Sequence, residues 1–204
     1  CESPVIRKEG EVAIICSNNQ CFAKEKEQII HFVSRKAFDI DGLGDKIIEQ
    51  LITVGLLHDA ADLFILKAGD LEPLERFAEK SASNLIAALD ARRQIELPRF
   101  LYALGILHVG EETARDLAQV FGTLEKLRLA SREELEKVPN IGAVVAKSVA
   151  DYFSEKNTHR FLEHLSINGV QVMPFHQTKH SQTLAGKTFV LTGALESLTR
   201  DEAK

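Results

Sequence analysis

Apolar residues recur in register around four short turns. Aligned on their last small residue, these are IDGLG at Ile40 to Gly44, LERFA at Leu74 to Ala78, ILHVG at Ile106 to Gly110 and VPNIG at Val138 to Gly142. Successive copies lie 34, 32 and 32 residues apart. Each has an apolar residue four positions before the small one (Ile40, Leu74, Ile106, Val138) and another immediately before it (Leu43, Phe77, Val109, Ile141). The fourth residue after it is Ile48, Ala82, Ala114 or Ala146, and the seventh is Leu51, Leu85, Leu117 or Val149, which places both on one face of a helix. The segments ahead, EKEQIIHFVSRKAF, AADLFILKAG, ELPRFLYAL and SREELEKV, also read as helical. The predicted unit is therefore helix, short turn, helix, and the predicted fold class is mainly α.

A glycine ending such a turn is expected to supply positive φ and to let another backbone come close, while the apolar residues on either side pin the turn to the core. The second helix of each unit then offers its first free amides at a positive dipole end. That chemistry suits an anion, and a phosphate in particular. The second copy departs from the pattern, with Ala78 and Arg76 in the two glycine positions, and is expected to be chiefly structural. A repeat of this length is also the period of protein-binding helical solenoids, for which the same turns would be purely geometric. A dinucleotide loop does not fit IDGLGDKIIEQLI: Ile47 stands where a third glycine would be, and the preceding segment is helical.

Charge sharpens the phosphate reading. The net charge is -5, and residues 37–173 carry 15 basic against 22 acidic side chains, while both ends are slightly basic. A broad field of Lys and Arg is thus excluded as the main means of holding a polyanion. Local donors must do it. No apolar run reaches the roughly 18 residues of a membrane span and no signal-peptide pattern opens the chain, so the cytoplasm is the expected compartment. The first residue is Cys1 rather than Met, which reads as a fragment of a longer chain.

Three cysteines, Cys1, Cys16 and Cys21, precede the repeats. SPVIRKEGEVAIIC, between the first two, alternates enough to form a small hairpin that would bring thiols together, as a structural zinc site requires. His31 is a weaker candidate for a fourth ligand, and three unrelated free thiols is the other reading. Disulfides are disfavoured by the expected compartment.

The cysteines and four turns together resemble the C-terminal half of bacterial NAD-dependent DNA ligases, in which a four-cysteine zinc finger precedes four helix-hairpin-helix motifs and a BRCT domain. The similarity runs through HFVSRKAFDIDGLGDKIIEQL, ADLFILKAGDL, RFLYALGILHVGEETARDLAQVFGTLEKL and EELEKVPNIGAVVAKSVADYF. It implies a zinc-finger remnant at 1–22, a helix-hairpin-helix domain at 23–173 with turns near 41–44, 75–78, 107–110 and 139–142, a linker at 174–183, and a truncated BRCT strand and helix at 184–204. It implies that Cys1 is the second member of a Cys-x-x-Cys pair whose first member lies upstream, and that Cys1, Cys16 and Cys21 bind zinc.

By the same resemblance, Gly42, Gly44, Gly110, Asn140 and Gly142 contact duplex or nicked DNA, with Lys46, Lys80, Thr113 and Lys147 as supporting donors. The family's enzymes seal nicks during replication and repair, using NAD and magnesium. Its adenylation lysine lies in Lys-x-Asp-Gly, whereas here Asp39 stands two residues before Asp41-Gly42, so the fragment is expected to bind DNA without catalysing ligation. The implied partners are DNA and the rest of the ligase chain, with no membrane and a monomeric fragment. Another hairpin-bearing repair protein, such as a glycosylase, is the remaining alternative. The seven histidines form no recognisable couple with a nucleophile in the sequence.

Overall fold

A computed structural model describes residues 1–7, 14–18 and 21–175. The expected linker from His176 on and the expected BRCT start lie outside the described residues.

The chain opens on strands β1 (Val5–Arg7) and β2 (Ile14–Cys16), antiparallel, with Val5 opposite Cys16 and Arg7 opposite Ile14. This is the hairpin expected from the alternating segment. Helix α1 (Phe22–Val33) follows, capped by Cys21. The chain then runs through α2 (Asp45–Thr53), a 3-10 segment (Ala60–Ile65), α3 (Ala68–Leu71), α4 (Glu79–Ala91), β3 (Gln94–Glu96), α5 (Leu97–Ala103), α6 (Glu111–Phe121), α7 (Leu124–Arg128), α8 (Arg132–Leu135), α9 (Ala143–Ser154), α10 (Lys156–Ile167) and β4 (Gln171–Met173). The mainly α expectation is met. The second repeat differs in its first arm, which is a 3-10 segment plus one turn of α-helix rather than a continuous helix.

The helix starts fall where the repeat places them: Gly44, Ala78, Gly110 and Gly142 are the N-caps of α2, α4, α6 and α9. The residues four on, Ile48, Ala82, Ala114 and Ala146, are completely buried, and Leu51, Leu85, Leu117 and Val149 are nearly so. Three of these four inward positions next to a turn carry alanine, so the paired helices can approach closely there.

One continuous cluster of buried side chains runs from Ile29 to Val170. At its centre Phe38 stacks on Phe32 with ring centroids 4.2 Å apart and lies 5.5 Å from Phe64 and 6.3 Å from Phe100, joining α1, the 3-10 segment and α5. Strands β3 and β4 pair in parallel, Ile95 opposite Val172, and fasten the end of the helical region to its middle, where α4 passes into α5. Phe175, assigned to a linker from the sequence, still touches the fold: its amide donates to Gly122 O at 2.8 Å and its ring packs partly on the core.

Arg93 is a second fastening. Its guanidinium donates to Phe64 O at 2.8 Å and to Asn168 O, and lies over the Phe64 ring at 5.7 Å. Removing it leaves two carbonyls without their charged donor, so Arg93→Ala is expected to lower unfolding free energy by about 2 kcal/mol in urea denaturation. A change within a few tenths would mean that β3 and β4 hold this junction without it.

Candidate nucleic-acid interface and metal centre

The four turns share one backbone. Gly42, Arg76, His108 and Asn140 have φ of +83°, +69°, +67° and +65°, so every unit turns through a left-handed residue two positions before its N-cap. The N-caps that follow are extended, with φ of -88°, -130°, -91° and -91°. This corrects the expectation that the last glycine supplies the positive φ. It also turns the second copy, expected to be the divergent one, into a turn of the same geometry, with arginine bearing the left-handed strain.

Glycine is therefore absent from three of the four positions whose backbone favours it. It is present instead at Gly44, Gly110 and Gly142, where φ suits any residue and a Cβ would meet nothing within 4 Å. Ala78 occupies the fourth such position without disturbing the turn. Neither backbone conformation nor internal packing requires glycine at these helix starts.

Beyond each N-cap the amide four residues on turns back to it, Ile48 to Gly44 O at 3.1 Å, Ala82 to Ala78 O at 2.9 Å, Ala114 to Gly110 O at 2.9 Å and Ala146 to Gly142 O at 3.0 Å, and at α2 the Ile47 amide shares Gly44 O at 2.9 Å. The amides in between have no acceptor four residues back within their helix. The turns nevertheless differ electrostatically. Asp45, Glu79 and the pair Glu111 and Glu112 sit in the first turns of α2, α4 and α6, whereas α9 has no acidic residue there. At the second turn Ser81 Oγ accepts from the Ala78 amide at 2.8 Å and donates back to Ala78 O, so that amide is already satisfied.

The other expected contact residues surround these starts. Lys46 and Lys80 are exposed at the second positions of α2 and α4, and Thr113 is half-buried at the third position of α6. Lys147, exposed on α9, pairs with Asp151 one turn on. Asn140 Nδ2 donates to Asp116 Oδ2 at 3.1 Å, tying the fourth turn to α6. Lys36, just before the first turn, pairs with Glu111 at the start of α6. Side-chain contacts thus link the first, third and fourth turns.

The thiols meet as the hairpin predicts. Cys1 Sγ lies 3.5 Å from both Cys16 Sγ and Cys21 Sγ, and the three sulfurs fall within 4.8 Å of one another. Zinc–sulfur bonds of roughly 2.3 Å in a tetrahedron would set sulfurs about 3.8 Å apart, so the three fit three corners of such a site. Cys21 caps α1, where the Lys24 amide in the first turn holds its thiol below the ordinary value; the Ala23 amide and the Cys16 thiol add to this, against the opposing effect of burial. His31 is not the fourth ligand. Its Nε2 donates to Tyr102 O at 2.7 Å and its ring lies against Tyr102, binding α1 to α5.

Comparisons with known proteins agree with both features. Residues 1–23 match the model of the NAD-dependent DNA ligase C4 zinc finger domain, and residues 99–162 match that of the helix-hairpin-helix motif. DNA ligase of Desulfitobacterium hafniense is 46% identical over 98% of this chain, and those of Anoxybacillus flavithermus and Saccharophagus degradans are 47% and 48% identical over 100% of it. The chain spans 30 to 31% of the length of these relatives. No helix among the described residues is long and apolar enough to cross a membrane. With a thiol cluster inside the matched zinc finger, four hairpins of one geometry and nearly half its residues shared along its whole length, this chain belongs to the NAD-dependent DNA ligase family, as the segment carrying its zinc finger and helix-hairpin-helix repeats.

Proposed function

We propose that this segment is the duplex-DNA grip of a nick-sealing ligase, and that it holds phosphates with the backbone amides at the starts of α2, α6 and α9. The observation that carries this reading is the misplacement of glycine. Gly44, Gly110 and Gly142 stand where the fold does not need them, at helix starts open to solvent, and a bare N-cap is what lets a phosphate oxygen reach the amides beyond it. The N-terminal dipole adds a fractional positive charge at each start. An acidic segment can then bind a polyanion.

The contacts are unequal. The fourth turn is the strongest, because no carboxylate of its own first turn opposes the phosphate; the first and third work against Asp45 and Glu111. The second, with Ala78 in place of glycine and its amide taken by Ser81, contributes least. Gly42 and Asn140 shape the turns that aim the amides, while Lys46, Lys80, Thr113 and Lys147 supply secondary donors. The helix-hairpin-helix part is taken as 23–173. NAD and magnesium act in the remainder of the ligase, and this segment positions the nicked strand for replication and repair in the bacterial cytoplasm.

Salt dependence tests this reading. With Lys46, Lys80 and Lys147 as the basic side chains at the turns, log affinity for a nicked duplex should fall against log salt with a slope of about -3 in fluorescence anisotropy. No measurable affinity would contradict the proposal. A slope near -8 would place binding on a basic field instead.

The three thiolates hold zinc, which fixes the β1–β2 hairpin on the start of α1 and has no part in the ligation chemistry. Thiols must lose protons to bind it, so affinity should fall as pH falls. Cobalt added to the reduced protein at neutral pH should give a near-ultraviolet thiolate charge-transfer band. In Cys21→Ser that band should weaken and apparent affinity drop at least about tenfold, whereas unchanged spectra would remove Cys21 from the ligand set.

A further inference from the structure

Away from the turns and the thiols, the fold brings together a second group of metal-binding side chains. Asp59 and Asp62 lie at the start of the 3-10 segment, and His164 lies on α10, 105 residues from Asp59. His164 Nδ1 is 3.3 Å from Asp59 Oδ2, and its Nε2 is 3.6 Å from Asp62 Oδ1. His58, exposed at the rim, places Nδ1 3.4 Å from Asp62 Oδ2. One ligand atom from each of Asp59, Asp62 and His164 falls within 4.8 Å of the others.

Backbone hydrogen bonds hold both carboxylates in place. Asp59 Oδ1 accepts from the Ala61 amide at 2.7 Å, and Asp62 Oδ2 accepts from the His58 and Asp59 amides at 2.7 and 3.2 Å. Each carboxylate thus has one oxygen anchored to the backbone and the other turned toward the imidazole. Outer-shell bonds of this kind fix ligand orientation in metal sites. Asp62 is buried, so its charge is costly unless a cation or a set of donors faces it. Beside the group opens a cavity of about 610 Å³, lined by His58, Asp59 and His164 together with Glu25 and Arg160, which gives an ion access and leaves room for water ligands.

We propose that Asp59, Asp62 and His164 form a divalent transition-metal site, with His58 able to swing in as a further ligand, and that its ion clips α10 to the 3-10 segment. Bonds of roughly 2.0–2.2 Å to oxygen and nitrogen place neighbouring ligand atoms about 3.3–3.6 Å apart in a tetrahedron; Asp59 and Asp62 face different ring nitrogens of His164, so the ion takes one nitrogen and the other carboxylate turns in from within 4.8 Å. The imidazole and carboxylate donors select a borderline ion such as Zn²⁺ over calcium or magnesium, which prefer all-oxygen shells. The site is independent of the DNA reading, since it uses none of the hairpin or thiol residues.

The test uses the full chain with its three cysteines alkylated, which removes the thiolate site. Zn²⁺ is titrated calorimetrically and thermal unfolding is followed with and without the ion. The expected result is one ion bound per chain and a higher unfolding temperature with zinc, because the ion binds the folded state alone. Asp59→Asn, which keeps a good helix-capping side chain, and His164→Gln should each weaken uptake at least about tenfold and abolish the temperature rise. No zinc uptake by the alkylated wild type, or uptake undiminished in both variants, would overturn the proposal. The group would then be a purely structural contact between α10 and the 3-10 segment.

Discussion

Gly110→Ser combined with Gly142→Ser is expected to weaken binding to a nicked duplex by about a hundredfold without lowering the stability of the protein. Each serine would sit at a helix N-cap with extended φ and open space around its Cβ, so the fold accepts it. Serine caps helices slightly better than glycine, and unfolding free energy should stay level or rise by about a few tenths of a kcal/mol. The hydroxyl would do this by accepting from the amide two or three residues on, which is the donor a phosphate needs. Loss of a charge-assisted bond at each turn corresponds to about tenfold in affinity per turn. Gly142→Ser alone should cost more than Gly110→Ser, because Glu111 and Glu112 already oppose a phosphate at the third turn. Ala78→Ser should change affinity little. Anisotropy and chemical denaturation on the same preparations separate the two quantities.

Phe38→Ala should be the most damaging single substitution for the fold. Phe38 is 1% exposed and touches three other aromatic rings, from α1, the 3-10 segment and α5, so its removal opens a cavity where the first repeat meets the third. Such truncations cost about 3–5 kcal/mol, and for a chain of this size the melting temperature should fall by about 10 °C or more. Because Phe38 directly precedes the first turn, DNA affinity should fall together with the folded fraction. A loss of less than about 1 kcal/mol would show that Phe32, Phe64 and Phe100 collapse into the space.

The turns were legible because their signals are local. An apolar residue, a small residue and the apolar positions four and seven further on lie within a dozen residues, and every one of them is set by helix geometry. The hairpin was legible for the same reason, from alternation between two cysteines. The left-handed positions were not, since Arg76 has no bias toward that conformation and His108 only a weak one, and the shared backbone of the repeats is what reveals them. The parallel pairing of β3 with β4 rests on two three-residue strands far apart in the sequence, each too short to show a pattern. His164 looked like one of several scattered histidines because Asp59 and Asp62 reach it only through the packing of α10 on the 3-10 segment.

The central claim is that backbone amides at helix starts, rather than a surface of basic side chains, hold the DNA. Amide-resolved NMR during titration with a short nicked duplex tests it most directly. The account predicts the largest shifts at Ala143 and Val144, smaller ones at Asp45 and Lys46 and at Glu111 and Glu112, and little change at Glu79 and Lys80. Shifts confined to lysine-bearing surfaces away from the turns, with these amides unmoved, would contradict it.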